Sequence, residues 1–230
     1  MRILCIGDSL GLPREGVTYE DTWFYKLQKY FSKHEFLEQF ERKLHITKAL
    51  DNFYSYYVFY PSDIIIIQLG ICDCAPRYII EEKLSTRIIQ TIFYKLGLLK
   101  LFWKIVKLRK RSPHRVDTPI HIFSDNMNRL ISNFINHGVK HIILVKIGHA
   151  AESVLNRNIY INENINKYNR EIEHIKAKYP QKIVIVNPLE KIDENYYVDG
   201  YHCNAQGMDV VFSSLKTELE NIIKSTLNNI

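Results

Sequence analysis

Ser9 stands in the tetrapeptide Gly7, Asp8, Ser9, Leu10, directly behind the apolar run 3–6, and near the other end of the chain Asp199 precedes His202 by three positions. A serine hydroxyl is a poor nucleophile until a base takes its proton, and a neutral imidazole held by a carboxylate is the usual base near neutral pH. A strand that breaks into a serine-bearing turn, with a distant acid and imidazole to activate it, is a layout for nucleophilic acyl chemistry. An isolated Asp-x-x-His is more often a loop or helix-cap pair. Joined to a strand-end serine at the opposite end of the chain, it is the candidate base for Ser9.

These side chains can meet only if the fold brings both ends of the chain to one edge. Four runs read as strands from their β-branched content and bounding turns: 2–6, 63–69, 141–147 and 182–186. A fifth candidate, 36–40, is interrupted by glutamate and glutamine. The run Ile64, Ile65, Ile66, Ile67 does not alternate, which suits a strand covered on both faces and hence a parallel sheet. Helical spacing links Trp23, Leu27, Tyr30 and Phe31 behind Asp21, and Met127, Leu130, Ile131, Phe134 and Ile135 behind a Ser124 cap, stopping at Gly138. It recurs from Ile161 through Tyr168 to Tyr179, ended by Pro180, and from Met208 to Ile222. Strands alternating with such helices predict an α/β three-layer sandwich around a central parallel sheet. Ligands of such sheets sit at the carboxyl ends of the strands, where Ser9 and residues 70–73 both fall. The chain reads as one domain, 1–230, with a basic amphipathic insertion around 95–115.

The two end motifs together resemble the SGNH, or GDSL-type, hydrolase family. Its first block is matched by Gly7, Asp8, Ser9, Leu10 and its last by Asp199, Gly200, Tyr201, His202, continued by Asn204 and Gly207. The resemblance implies a flavodoxin-like three-layer fold, with Ser9 as nucleophile, His202 as general base and Asp199 as the residue that orients it. The middle blocks depart from the pattern. Gly70, Ile71, Cys72, Asp73 occupies the third block, so a thiol, a weak donor, replaces the asparagine that would donate to the oxyanion. The second block's glycine has no counterpart, because no glycine occurs between Gly16 and Gly70. Losing one such donor typically costs about 2.7 to 4 kcal/mol of transition-state stabilisation. The Ser9 amide is expected to stay in place, with an amide from residues 47–52 or the Arg77 guanidinium standing in for what is missing. The stretch QLGICDCAPR also resembles SGNH-like proteins found among bacterial polysaccharide-biosynthesis enzymes. An acylated, most simply acetylated, carbohydrate or related ester is then the expected substrate. Hydrolysis through an acyl-enzyme leads, acyl transfer to a sugar hydroxyl by the same residues is the alternative, and a glycan-binding protein that kept the fold is a third reading.

Composition narrows the remaining possibilities. Hydrophobic content of 46% with 24% charged residues is ordinary for a globular protein. The short apolar stretch before Gly7 does not make a signal peptide, and the four cysteines suit a reducing compartment, so the cytoplasm is expected. Cys72 and Cys74 lack histidine partners at ligand spacing, and no metal or other cofactor is expected. The aromatic run from Phe53 to Tyr60 is expected to pack between the sheet and a helix rather than line a sugar site.

The formal charge is +6, yet residues 95–115 alone carry eight basic side chains and no acidic one, leaving −2 for the rest. With the basic excess confined to one segment, a nucleic-acid partner is not expected. Wound as one helix, 95–111 places Lys100, Lys104, Lys107 and Arg111 within about 60° of arc, opposite Leu98, Leu99, Leu101, Phe102, Ile105, Val106 and Leu108, with Trp103 at the edge. Such a segment is a lid, a helix lying on an anionic membrane, or an insertion packed on the domain with its lysines solvated. Oligomeric state is not readable from the sequence.

Overall fold

The structure, a computed structural model, describes residues 1–80, 83–108, 111–190 and 193–227. Its first half runs β1 (Arg2–Gly7), α1 (Trp23–Tyr30), β2 (Glu35–Phe40), α2 (Ile46–Ser55), β3 (Ile64–Gln68), α3 (Ile71–Cys74), α4 (Leu84–Lys95) and α5 (Leu99–Lys107). The second half continues through α6 (Ile120–Asn136), β4 (His141–Val145), α7 (Glu152–Leu155), α8 (Ile161–Lys178), β5 (Ile183–Val186) and α9 (Ala205–Leu227). All four strand pairings are parallel, in the order β2-β1-β3-β4-β5. This is the flavodoxin-like order, whose switch point lies at the carboxyl ends of β1 and β3.

Period-2 alternation along the strands splits the core into two layers. Leu4, Ile6, Ile65, Ile67, Ile142 and Leu144 pack with residues of α2, α6 and α8, including Phe53, Leu130 and Ile172. Ile3, Cys5, Ile64, Ile66, Ile143 and Val145 pack with α1 and α9 through Trp23, Leu27, Val211 and Leu215. Every residue of β3 is buried, which explains its unbroken apolar run. The polar run 36–40 is edge strand β2, where only one neighbour needs covering. Phe53 and Tyr57 pack on Phe134 at ring distances of 5.1 and 6.1 Å, while Tyr54, Tyr56 and Phe59 of the same aromatic run are exposed.

Three local expectations change. The cap of α1 is Thr22, whose hydroxyl accepts from the Tyr25 amide, while Asp21 accepts from Thr18. Helix α6 starts after Pro119 rather than Ser124, because proline fixes φ and needs no partner for an N–H at a helix start. Ser124 instead donates to Glu171 of α8 at 2.8 Å. The basic segment is not a single helix: α4 ends with Gly97 at φ +68°, and the Leu98 amide reaches back to the Phe93 carbonyl at 2.8 Å. Helix α5 buries Phe102 and Val106 but leaves Leu101, Ile105 and Leu108 outside. Arg111 leaves the lysine face altogether, its Nη1 donating to the Pro76 carbonyl at 3.0 Å and its guanidinium lying over the Tyr78 ring. Arg109 and Lys110 of the same segment lie outside the described residues.

Candidate active site

β1 ends at Gly7, and the chain folds into a tight turn over residues 8–11, with Asp8 fully buried beneath it. The Asp8 carboxylate accepts the Leu10 amide at 2.9 Å, closing the turn from below. Arg14 clamps it from the far side, donating to the Ser9 carbonyl. Ser9 is thereby held half-exposed at the switch point, its hydroxyl 3.0 Å from Nε2 of His202. His202 arrives on the loop before α9, whose first turn is capped by Asn204. Its Nδ1 lies 2.7 Å from Asp199 Oδ2, and the other oxygen of Asp199 accepts the backbone amides of Tyr201 at 3.1 Å and His202 at 3.0 Å. Asp199 so fixes both the ring and the loop carrying it, and the proton is assigned to Nδ1, leaving Nε2 to accept from the hydroxyl.

The electrostatics suit that tautomer. Burial, with some help from the Arg14 charge, holds the His202 pKa below its ordinary value despite the opposing pull of Asp199, so the ring is a neutral base near pH 7. Burial alone would raise Asp199, but hydrogen bonds from the His202 backbone and ring and from the Tyr201 amide outweigh it and leave a carboxylate. Behind Ser9, burial pushes Asp8 up to about 7, reinforced by the nearby Asp73 carboxyl. Burial likewise raises Asp73 to about 6 against hydrogen bonds from Thr118 and the Ile46 amide.

The third-block residues have separable tasks. Gly70 opens α3 at φ +128°. Asp73 accepts the Ile46 amide at 3.0 Å, tethering the start of α2 to this edge. Cys72 turns its thiol toward Asp8 Oδ2 at 3.8 Å, and burial first, then the Asp8 and Asp73 charges, push its pKa well up. It is therefore a protonated thiol, not a rival nucleophile. Cys74 points instead toward the Ile71 carbonyl, so the two thiols do not converge. Arg77 is engaged by Asp117, its Nε 2.9 Å and its Nη2 2.6 Å from Oδ2, and it also donates to the Cys72 carbonyl at 3.2 Å.

Residues 47–52, expected to offer an oxyanion donor, are helical: from Ala49 onward their amides close turns of α2, and none of them faces the site. Lys43, two positions ahead of the His45 cap of α2, lies on the wall of the cleft that Ser9 lines, at φ +61°. It is the one described non-glycine residue with positive φ, a conformation in which glycine is the ordinary occupant. Sequence reading passed over it because nothing in a lysine announces a left-handed backbone.

Ser9 and His202 open into a cleft of about 560 Å³ whose walls include Lys43, His45, Arg77, Arg111, Asp117 and Arg157. Its two carboxylates, Asp117 and Asp199, are already engaged by Arg77 and His202. Arg157 is exposed at the rim, and no ion pair or side-chain hydrogen bond holds it among the described residues. Arg14, Lys43, Arg111 and Arg157 come from four separate loops, and no short-range pattern links them.

No family model and no curated protein matches the sequence. Solved structures do. A lipase/acylhydrolase from Enterococcus faecalis superposes with a TM-score of 0.66 at 11% identity, covering 96% of this chain and 95% of that one. An acetyl xylan esterase gives 0.65 at 14% identity, covering 95% and 99%. A GDSL-like lipase from Bacteroides thetaiotaomicron gives 0.59 at 14%, covering 96% and 88%. Over nearly its whole length the chain therefore has the fold of GDSL-type lipases and esterases, the SGNH-hydrolase form of the three-layer α/β sandwich.

Proposed function

We propose that the chain is a serine ester hydrolase of the SGNH type that removes an acyl group, most simply acetyl, from a negatively charged carbohydrate. The observation that carries this is the hydrogen-bonded series Ser9, His202, Asp199 opening into a cleft. Ser9 Oγ attacks the acyl carbonyl while His202 Nε2 takes its proton, and the imidazolium then protonates the departing sugar oxygen. Water, deprotonated by the same nitrogen, cleaves the acyl-enzyme and restores Ser9.

Two backbone amides suit the oxyanion. Ser9 N–H has no acceptor among the described residues, and Lys43 N–H stands at the left-handed turn on the cleft wall. A lysine in that conformation supplies the amide a glycine would, at a backbone cost of about 1 kcal/mol. The Arg77 guanidinium, paired with Asp117 and donating to the Cys72 carbonyl, lines the same cleft as Ser9. The cationic walls, with Arg157 unengaged at the rim, suit a substrate bearing carboxylate or phosphate, as in intermediates of bacterial polysaccharide assembly. The cleft is also roomy enough for an acceptor sugar beside the ester, which favours acyl transfer as the second reading.

A fluorophosphonate probe should label wild type but neither Ser9→Ala nor His202→Ala, and Ser9→Ala should lower ester turnover by at least about a thousandfold. Labelling that survives in Ser9→Ala, or no labelling of wild type, would overturn the assignment. Among acetylated sugars, Arg157→Ala should raise KM for acidic members about tenfold while sparing neutral ones; burst kinetics with and without a sugar acceptor separates hydrolysis from transfer.

A further inference from the structure

We infer that the helical hairpin of α4 and α5 is a docking device for an anionic lipid surface, which holds the mouth of the cleft against the membrane. Helix α4 buries none of its side chains. Ten of the nineteen exposed large apolar side chains among the described residues lie within 84–108. Leu84, Leu96 and Leu108 are 73%, 65% and 81% exposed. The hairpin is held together by its own small interface, with Phe93 and Phe102 rings 5.5 Å apart, and neither Phe102 nor Val106 joins the core on either side of the sheet. A globular protein rarely leaves so many large apolar side chains of one segment in water without a partner.

Charge decides which partner. Between Leu84 and Leu108 there are five basic residues and no acidic one. On α5, Lys100, Lys104 and Lys107 fall within about 60° of arc, next to the exposed sector of Leu101, Ile105 and Leu108 and away from buried Phe102 and Val106. A helix carrying apolar side chains on one outward sector and lysines on the adjoining one lies along an interface, with the first in the acyl boundary and the second among headgroups. A second copy of the chain would meet this face with the same cations, so self-association pairs like charges, whereas an anionic bilayer neutralises them. The hairpin rests on the surface and does not cross it, since no described helix is long and apolar enough to span a membrane. Ile79 and Arg111, flanking the hairpin in sequence, both line the cleft, so docking brings lipid-anchored esters to Ser9.

The test is flotation of the full chain with vesicles of phosphatidylcholine alone or with phosphatidylglycerol added, alongside sedimentation without lipid. Wild type should float with the anionic vesicles at low salt, bind zwitterionic ones at least about tenfold more weakly, and lose binding in high salt. A Lys100→Glu, Lys104→Glu, Lys107→Glu variant and a Leu101→Ser, Ile105→Ser, Leu108→Ser variant should each lose at least about tenfold in binding. Both should keep fluorophosphonate labelling of Ser9, which also shows that they fold. Failure to float on anionic vesicles at low salt, equal binding to both compositions, or a dimer that the serine variant dissociates would overturn the inference. Ser9 labelling is read separately, so the hydrolase reading stands or falls on its own.

Discussion

In the proposed reaction His202 is the base, and two opposing influences set its affinity for the proton. Burial lowers its pKa and Asp199 pulls it back up. The acid limb of kcat/KM should therefore have its midpoint below the ordinary histidine value of about 6.5. Asp199→Asn removes the charge that favours the imidazolium, so the midpoint should move further down while turnover falls by about 10²- to 10⁴-fold. A pH–rate profile of the two proteins checks both statements; a midpoint that rises in the variant would contradict this account of the coupling. At this scale the sequence was legible where a motif is contiguous: Ser9, Asp199 and His202 announce themselves. Arg14, Lys43 and Arg157 do not, because their relevance comes from a clamp on the Ser9 carbonyl, a left-handed turn and a separate loop of the cleft wall.

Among the elements, the loop before α9 is the most constrained. Gly200 lies between the acid and the base at φ +88°, and a Cβ there would fall 2.4 Å from Cγ2 of Val154. Gly200→Ala should lower stability by about 1–3 kcal/mol and displace the imidazole, so that kcat falls more than KM rises. Adding Val154→Ala should recover part of the stability but not the strained backbone; urea unfolding of the single and double variants measures the split. Strand positions were readable to within two residues, because apolar periodicity reports burial directly; helices α2 and α4 went unread, and α6 has its cap at Pro119, five positions ahead of the expected Ser124. The failures came where a local signal was outranked. Pro119 outranked Ser124 as the start of α6, and Gly97 outranked the apolar and lysine periodicity that would have run one helix through 95–111.

Taken whole, the molecule buries two carboxyl groups, Asp8 and Asp73, at the sheet edge that carries Ser9. Asp8 rises to about 7 and Asp73 to about 6, both above the ordinary 3.8 of an unfolded aspartate. Between about pH 4 and pH 7 the native state then binds more protons than the unfolded one, so the stability tied to these groups is full below about pH 4 and is lost as pH rises through their folded values. The urea midpoint of wild type should fall over that window relative to Asp8→Asn, whose curve should be flatter. Parallel curves would show that Asp8 is ionised throughout.

The 193 positions between Ser9 and His202 also order events in time. In synthesis the hydroxyl leaves the ribosome long before the ring that it comes to meet. On the reading proposed above, a nascent chain stays chemically silent toward esters until its sheet has closed and the helix after His202 has docked, and a chain cut short before that loop is inert rather than unregulated.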